Sequence, residues 1–321
     1  MRKVRAPGEG NMHEHIARSM YYLSIHLLYA SGVAVAAWVL TSIRGASATT
    51  KYWMWVLTAF NFFVPIGAAI DKVWALHLTW ARPLGAIGDP VWVMTEGRVA
   101  IVLAVIWASG TCFMIARLIS RVVVERRNKR VQAFSTAERK TSRFTADGIP
   151  VSFASSNPGP AVSGILSPQI LLPAGIDRIL SEREIDAILL HELAHARRRD
   201  NLIRLLYEVW LCVLWFHPLM WLAGARMALY RELSCDEAVI ERAQGQALVS
   251  ALAKLALPDR ASFLHATASS HVSHRLARLA GPSRMASHRT NLVHASVFTV
   301  VMMTGVFQTI AHTACCFLVK R

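Results

Sequence analysis

The sequence predicts a mainly α membrane protein, with four transmembrane helices and an α+β domain inserted between the third and the fourth. Three observations predict it. Of the 321 residues 54% are apolar and only 17% charged, with a mean hydropathy of +0.36, against about 45–50% and about 25% in ordinary soluble domains. Four apolar runs are each fenced by basic residues. Between the third and fourth runs lies a polar-faced stretch long enough for a core of its own. This apolar content excludes a disordered chain. The five cysteines (Cys112, Cys212, Cys235, Cys315, Cys316) form no CxxC pair and sit mostly in apolar runs, which excludes a disulfide scaffold.

A bilayer crossing takes about 20 apolar residues. Residues 20–43 contain no Asp, Glu, Lys or Arg and lie between Arg18 and Arg44. Residues 52–70 lie between Lys51 and Lys72, and Asn61 and Pro65 mark a face packed on protein rather than lipid. Residues 99–116 lie between Arg98 and Arg117, and residues 292–319 between Arg289 and Lys320. The basic start resembles a signal peptide, but the first apolar run begins late and exceeds an h-region, so an uncleaved anchor is expected. The expected organisation is 1–117 with three spans, 118–291 as the inserted domain, and 292–321 as the last span.

The formal net charge of +15 suits nucleic acid, an anionic membrane surface or topology. Residues 117–143 hold nine Lys or Arg against Glu125 and Glu138, a net of +7, directly after the third span. The positive-inside rule assigns that side, and the inserted domain with it, to the cytoplasm. Arg44, Lys51, Arg275, Arg278, Arg284 and Arg289 then fall on the same side, whereas Arg2, Lys3, Arg5 and Arg18 fall outside, against the rule. No nucleic-acid recognition motif accompanies the cluster, so no direct nucleic-acid partner is expected.

Within the inserted domain, residues 151–154, 161–165 and 169–172 read as short strands broken by Pro158, Gly159, Pro160 and Pro168. From Ser181 the pattern turns helical. Ser181 and Glu184 form a capping box, and Ile185, Ile188, Leu189 and Leu193 make an apolar stripe.

That helix carries His191-Glu192-Leu193-Ala194-His195. Residues four apart share one helical face, so both imidazoles can reach one metal ion, and Glu192 is placed to accept a proton from a water beside it. With 13 His in the chain, a chance HExxH arises in roughly two per cent of such sequences. The bland alternative is an amphipathic helix with two surface histidines. Ala187, Ile188, Leu189 and Leu190 oppose it, because they bury the motif. Catalytic zinc (Zn2+) takes about three protein ligands plus water. The best third candidate is Glu232 in Arg231-Glu232-Leu233-Ser234-Cys235-Asp236-Glu237. Glu232 and Asp236 are again four apart, so one can bind metal while the other orients a ligand histidine. Glu237 competes for the ligand role. Cys235 is a soft donor, but its offset from Asp236 turns it off that face.

These elements resemble the BlaR/MecR antirepressor family of integral-membrane zinc metallopeptidases. The likeness rests on the HExxH motif continued by Arg197-Arg198-Arg199-Asp200, on Glu232-Leu-Ser-Cys-Asp236, and on the run from Val162 through Ser167-Pro168 to Pro173. Three spans before the protease and one behind also fit. The resemblance implies a gluzincin-type domain, Glu232 as zinc ligand and Asp236 as a residue orienting a ligand histidine. It also implies a bacterial inner (cell) membrane location, and a cytoplasmic transcriptional repressor as protein substrate. In the family an extracellular penicillin-binding-protein-like domain supplies the signal. The sequence given ends two residues after the last span, so a sensor-less member without direct β-lactam sensing is expected. A signal then enters through residues 72–98, whose Trp74, Trp80 and Trp92 read chiefly as interfacial anchors, or through a separate sensor protein. Self-cleavage between residues 260 and 289 follows from the same analogy, and a homodimer is a separate expectation.

The remaining polar residues have humbler readings beside the functional ones. His217, before Pro218, is either an oxyanion hydrogen-bond donor or the cap of a helix junction. Asp200 pairs with local arginines. His265, His271, His274 and His288 lack ligand spacing and read as solvated. Residues 202–222 are nearly apolar enough for a fifth span, but a single crossing of about 30 Å strands His195 and Glu232 on opposite sides. The stretch therefore folds back, with a break at His217-Pro218, or lies along the membrane face.

The expected activity is peptide hydrolysis with Glu192 as the catalytic base and His191, His195 and Glu232 holding zinc. An extended substrate would add to the strand edge at 161–172. Two rival readings stand beside it: a quality-control or CAAX-type membrane zinc protease, and a non-catalytic scaffold stapled by zinc.

Overall fold

The computed structural model describes residues 9–43, 45–63, 98–136, 144–154, 159–255, 275 and 287–319. Eight helices and a four-stranded sheet are seen among them. Helices α1 (Glu9–Ser42), α2 (Ala48–Phe63), α3 (Arg98–Thr136) and α8 (His288–Val319) correspond to the four fenced runs. Of the described residues, Ile101–Val124 is one stretch long and apolar enough to cross a membrane, and His26–Ser42 is a shorter apolar helix. Four crossing helices are thus an expectation only partly met. Residues 64–70 of the second span and the tryptophans of 72–98 lie outside the described residues.

The expected domain boundary at 117/118 falls inside α3, which runs unbroken to Thr136. No Gly or Pro occurs between Gly110 and Gly148. The Arg, Lys, Gln and Glu that follow the apolar part are good helix formers, so the basic cluster extends the same rod.

Strands β1 (Phe144–Ala146) and β2 (Ile149–Ala154) pair antiparallel. Asp147 and Gly148, at φ 55° and 79°, make the two-residue turn between them, a geometry that Asp-Gly accommodates best. Strand β4 (Gln169–Pro173) runs parallel to β2, and β3 (Ala161–Ser163) pairs antiparallel with β4, giving the order β1-β2-β4-β3 with β3 at an edge. The strand expected over 161–165 stops at Ser163 because Gly164 turns the chain at φ 93°. Strand β1 carries too short a pattern to be read from sequence.

After a 3-10 turn (Ile176–Arg178), α4 (Glu182–Arg198) begins at Ser181, whose amide donates to Glu184 Oε2 at 2.8 Å, as the capping box requires. Arg199, at φ 55°, ends α4 in a left-handed residue and starts α5 (Asp200–Val213). The chain reverses at residues 214–217, and α6 (Pro218–Ile240) opens on a proline at its first turn. The stretch 202–222 therefore folds back at His217-Pro218. Helix α7 (Gly245–Leu255) follows.

Two cores meet along α6. Val151, Ile170 and Leu172 of the sheet pack with Ile188 and Leu193 of α4, Val239 of α6 and Leu248 and Leu252 of α7. On the other side Val33, Tyr52, Trp55, Met227, Leu233 and Phe298 join α1, α2, α6 and α8. Outward faces of the apolar helices carry exposed Trp38, Val39, Leu57, Phe60, Ile101, Leu103, Val105, Val297 and Val300. Apolar surface of that extent marks a membrane or protein contact.

Candidate metal centre

The site forms where α4 meets α6. One helical turn separates His191 from His195, and α6 returns Glu232 to face them. His191 Nε2 and His195 Nε2 lie 3.2 Å apart, and Glu232 Oε2 is 3.6 Å from the first and 3.8 Å from the second. An ion bound tetrahedrally at about 2.0–2.1 Å places its donors about 3.3 Å apart. The three atoms come within about 0.5 Å of that spacing, so they can form one face of a metal's coordination shell.

The outer atoms of each ligand are also engaged. His195 Nδ1 donates to Asp200 Oδ2 at 2.6 Å, and His191 Nδ1 lies 3.1 Å from Asp236 Oδ1. Each carboxylate fixes the tautomer in which Nδ1 carries the proton and Nε2 presents its lone pair to the centre. Arg231 holds Glu232 Oε1 through two nitrogens at 2.9 and 3.1 Å, leaving Oε2 for the cluster. Burial alone lowers the pKa of His191, but its bonds to Asp236 and Glu232 carry it up to about 9. For Glu232 burial pushes upward, and His195, His191 and Arg231 together hold it well below the carboxylate range. An ionised carboxylate that converges with two imidazole nitrogens is a donor set suited to a dication.

Glu192 sits beside His191 in a cleft of about 180 Å³ lined also by Pro160, Ala161, Val162, Asn201 and Arg204. Asn201 Nδ2 donates to the carbonyls of Val162 and Gly164, both at 3.0 Å, and so fixes edge strand β3 at the mouth.

The structure brings together His191, Glu192, His195, Glu232 and Asp236. It does not bring His217, and the oxyanion-donor expectation is corrected. His217 is the N-cap position of α6, and Glu232 lies about 22 Å further along that helix. Its ring packs on Phe62 at 4.7 Å, with Nε2 3.3 Å from Ser31 Oγ. Glu237, the rival ligand, instead accepts the amide of Ala48 at the start of α2. Cys235 lies near His195 and Asp200, whose donor atoms fall within 4.8 Å of its own. There the Asp200 carboxylate is already clasped by Arg198, at 2.6 and 2.7 Å, which disfavours a second cation. His288 is exposed, while His265, His271, His274 and almost all of residues 260–286 lie outside the described residues.

Two functional neighbours escape a reading from sequence. Asp200 pairs with an arginine as expected, yet its contact with His195 depends on the left-handed turn at Arg199. Arg275, read from sequence only as one of the basic residues of the cytoplasmic side, is buried at 4% exposure. Its Nε and Nη2 donate to Asp236 at 2.9 and 2.8 Å, and Nη1 lies 3.6 Å from Glu232 Oε2. The available signal is spacing. In the sequence Val272, Leu276 and Leu279 surround Arg275 at intervals of three to four residues, a pattern that sets a charge among apolar positions.

Residues 22–279 match the family described as BlaR1 peptidase M56. The methicillin resistance mecR1 protein of Staphylococcus aureus is 31% identical over 99 residues, 31% of this chain and 17% of that relative. The mecR1 protein of Staphylococcus epidermidis aligns to the same extent. The regulatory protein BlaR1 of Bacillus licheniformis is 27% identical over 201 residues, 57% of this chain and 33% of that relative. These alignments thus span a third or less of each relative's length.

Proposed function

The chain belongs to the BlaR1 peptidase M56 family, and on that premise we propose that it is a membrane-bound zinc endopeptidase that cleaves a cytoplasmic regulatory protein in response to a signal. One observation carries the reading. Two imidazole nitrogens and one carboxylate oxygen converge at 3.2–3.8 Å beside Glu192, each with its outer atom tied to a countercharge.

His191, His195 and Glu232 would hold the ion. Zinc, when bound, supplies Lewis acidity toward a substrate carbonyl and toward water. Glu192 takes the proton of the attacking water at its carboxylate and returns it to the leaving amine. The β3 edge at Ala161 and Val162 receives the substrate in extended form, so that its main chain pairs with the sheet beside Glu192. The pairing holds the scissile bond still while the proton moves.

The exposed apolar faces of α1, α2, α3 and α8 support insertion in a bacterial inner membrane, with the +7 of residues 117–143 favouring a cytoplasmic protease. The relatives' names, a regulatory protein and methicillin resistance proteins, favour a regulator, such as a transcriptional repressor, as substrate over a degradative role.

The test is Glu192→Gln in the full chain. The variant should retain stoichiometric zinc and its melting temperature while losing cleavage. Proteomics of cells carrying wild type against the variant should reveal a regulator whose fragments depend on Glu192. Cleavage that persists in Glu192→Gln overturns the reading.

A further inference from the structure

The metal-binding helices are tied to a helix that contributes no ligand. Tyr52 stands in the second turn of α2 and is 1% exposed. Its hydroxyl donates to Asp200 Oδ1 at 3.2 Å, and Asp200 Oδ2 accepts from His195 Nδ1. The Arg198 guanidinium, which clasps both oxygens of Asp200, stacks over the Tyr52 ring at 4.4 Å. The same guanidinium donates to the Arg231 carbonyl at 3.2 Å and to Ser234 Oγ, both on α6. One turn earlier on α2, the amide of Ala48 donates to both oxygens of Glu237, which follows Glu232 on α6 by five residues. Helix α2 is therefore fastened to the HExxH helix and to the Glu232 helix at once.

We propose that Tyr52 is a positioning residue of the metal centre: its hydroxyl and ring seat the Arg198–Asp200 pair, which in turn holds His195 in the rotamer that points Nε2 at the metal. The inference rests on the zinc reading of that centre and adds an apolar helix to its support. Asp200 has two oxygens and four donors, two from Arg198 and one each from His195 and Tyr52. Removing the hydroxyl leaves Oδ1 to Arg198 alone, so the carboxylate can shift and the loss falls on the imidazole that Oδ2 orients. Outer partners of metal ligands typically change affinity by about 10–100-fold. Tyr52 acts one link further out, so a smaller factor is expected.

The test compares wild type with Tyr52→Phe, Asp200→Asn and the double variant, as full chains in lipid nanodiscs, with zinc affinity read by competition against a chromophoric chelator. Phenylalanine keeps the packing and the cation–π face, so a role in packing alone predicts no change. The expected result is a roughly threefold to tenfold weaker affinity in Tyr52→Phe, and no further loss when it is added to Asp200→Asn. Unchanged affinity in Tyr52→Phe, or the same factor in both backgrounds, overturns the role of Tyr52 while leaving the zinc centre standing. A wild-type chain that binds no zinc overturns both.

Discussion

Arg275 and Asp236 form a two-pronged pair, Nε to Oδ2 at 2.9 Å and Nη2 to Oδ1 at 2.8 Å, and Asp236 Oδ1 is also the atom 3.1 Å from His191 Nδ1. The arginine comes from a segment far along the chain from the HExxH helix. With Arg198 on Asp200, each histidine has its own carboxylate and each carboxylate its own guanidinium. A buried charge is tolerable only when paired and hydrogen-bonded, and this symmetry satisfies both halves of the site.

Replacing Arg275 by Gln should therefore leave Asp236 buried without its partner. We expect zinc affinity to fall about 10–100-fold and stability to drop by about 3 kcal/mol. Arg275→Lys should rescue little, because an ammonium cannot make the parallel pair. Chelator competition and thermal unfolding in detergent check both numbers. Native affinity in Arg275→Gln would show that Asp236 orients His191 unaided.

His217→Ala gives the converse result. Since α6 puts this residue about 22 Å from Glu232, zinc content and kcat should stay at the wild-type level. The Ser31 contact and the Phe62 packing are lost, so a small fall in melting temperature is expected. A fall in kcat at unchanged stability would place His217 back in the reaction.

The contrast between His217 and Arg275 shows what periodicity can convey. His191, Glu192 and His195 were legible because one helix sets their geometry. Glu232 and Asp236 were legible as a pair because the same four-residue spacing repeats on a second helix. The fold-back at His217-Pro218 followed from requiring that the two helices share an ion. Asp200 reaches His195 only through the left-handed residue Arg199, and nothing in the residue types announces that conformation. Arg275 and Tyr52 arrive by tertiary packing, over sequence distances of 39 residues to Asp236 and 148 to Asp200. Charge counting gives Arg275 a side of the membrane but cannot show that it is buried against Asp236. The unbroken run of α3 past Arg117 was hidden for another reason: a basic cluster ends a membrane span, but it does not end a helix.

Gly164 tests how β3 is held at the cleft. It adopts φ 93°, and an added Cβ would stand 2.2 Å from the Ser167 carbonyl oxygen and 3.0 Å from its carbon. Neither atom belongs to a flexible side chain, so Gly164→Ala must move the loop. We expect about 2–4 kcal/mol of destabilisation from strain and clash together. The Gly164 carbonyl is one of the two that Asn201 binds, so KM for an extended peptide should rise as well. Peptide kinetics at a temperature where the variant remains folded separate the two effects.

Glu184 gives a pH dependence of definite sign. Burial alone would raise its pKa, but Lys254 at 2.8 Å, Ser250 at 2.5 Å and the Ser181 amide at 2.8 Å hold it at about 2. The ordinary value is 4.5. A depressed folded pKa means that the unfolded chain binds the proton more readily. The contribution is therefore complete above the unfolded value and disappears as pH falls through the folded one. Because these bonds join the start of α4 to α7, Glu184→Gln should lower the melting temperature at neutral pH, by the equivalent of about 1–2 kcal/mol. The gap between wild type and variant should be full above about pH 5 and should close as pH falls toward 2. Following that difference, rather than wild type alone, removes the contributions of Asp200, Glu232 and Asp236, which titrate in both proteins. A gap that stays constant down to pH 2 would mean that the carboxylate charge of Glu184 plays no part in anchoring the metal-bearing helix.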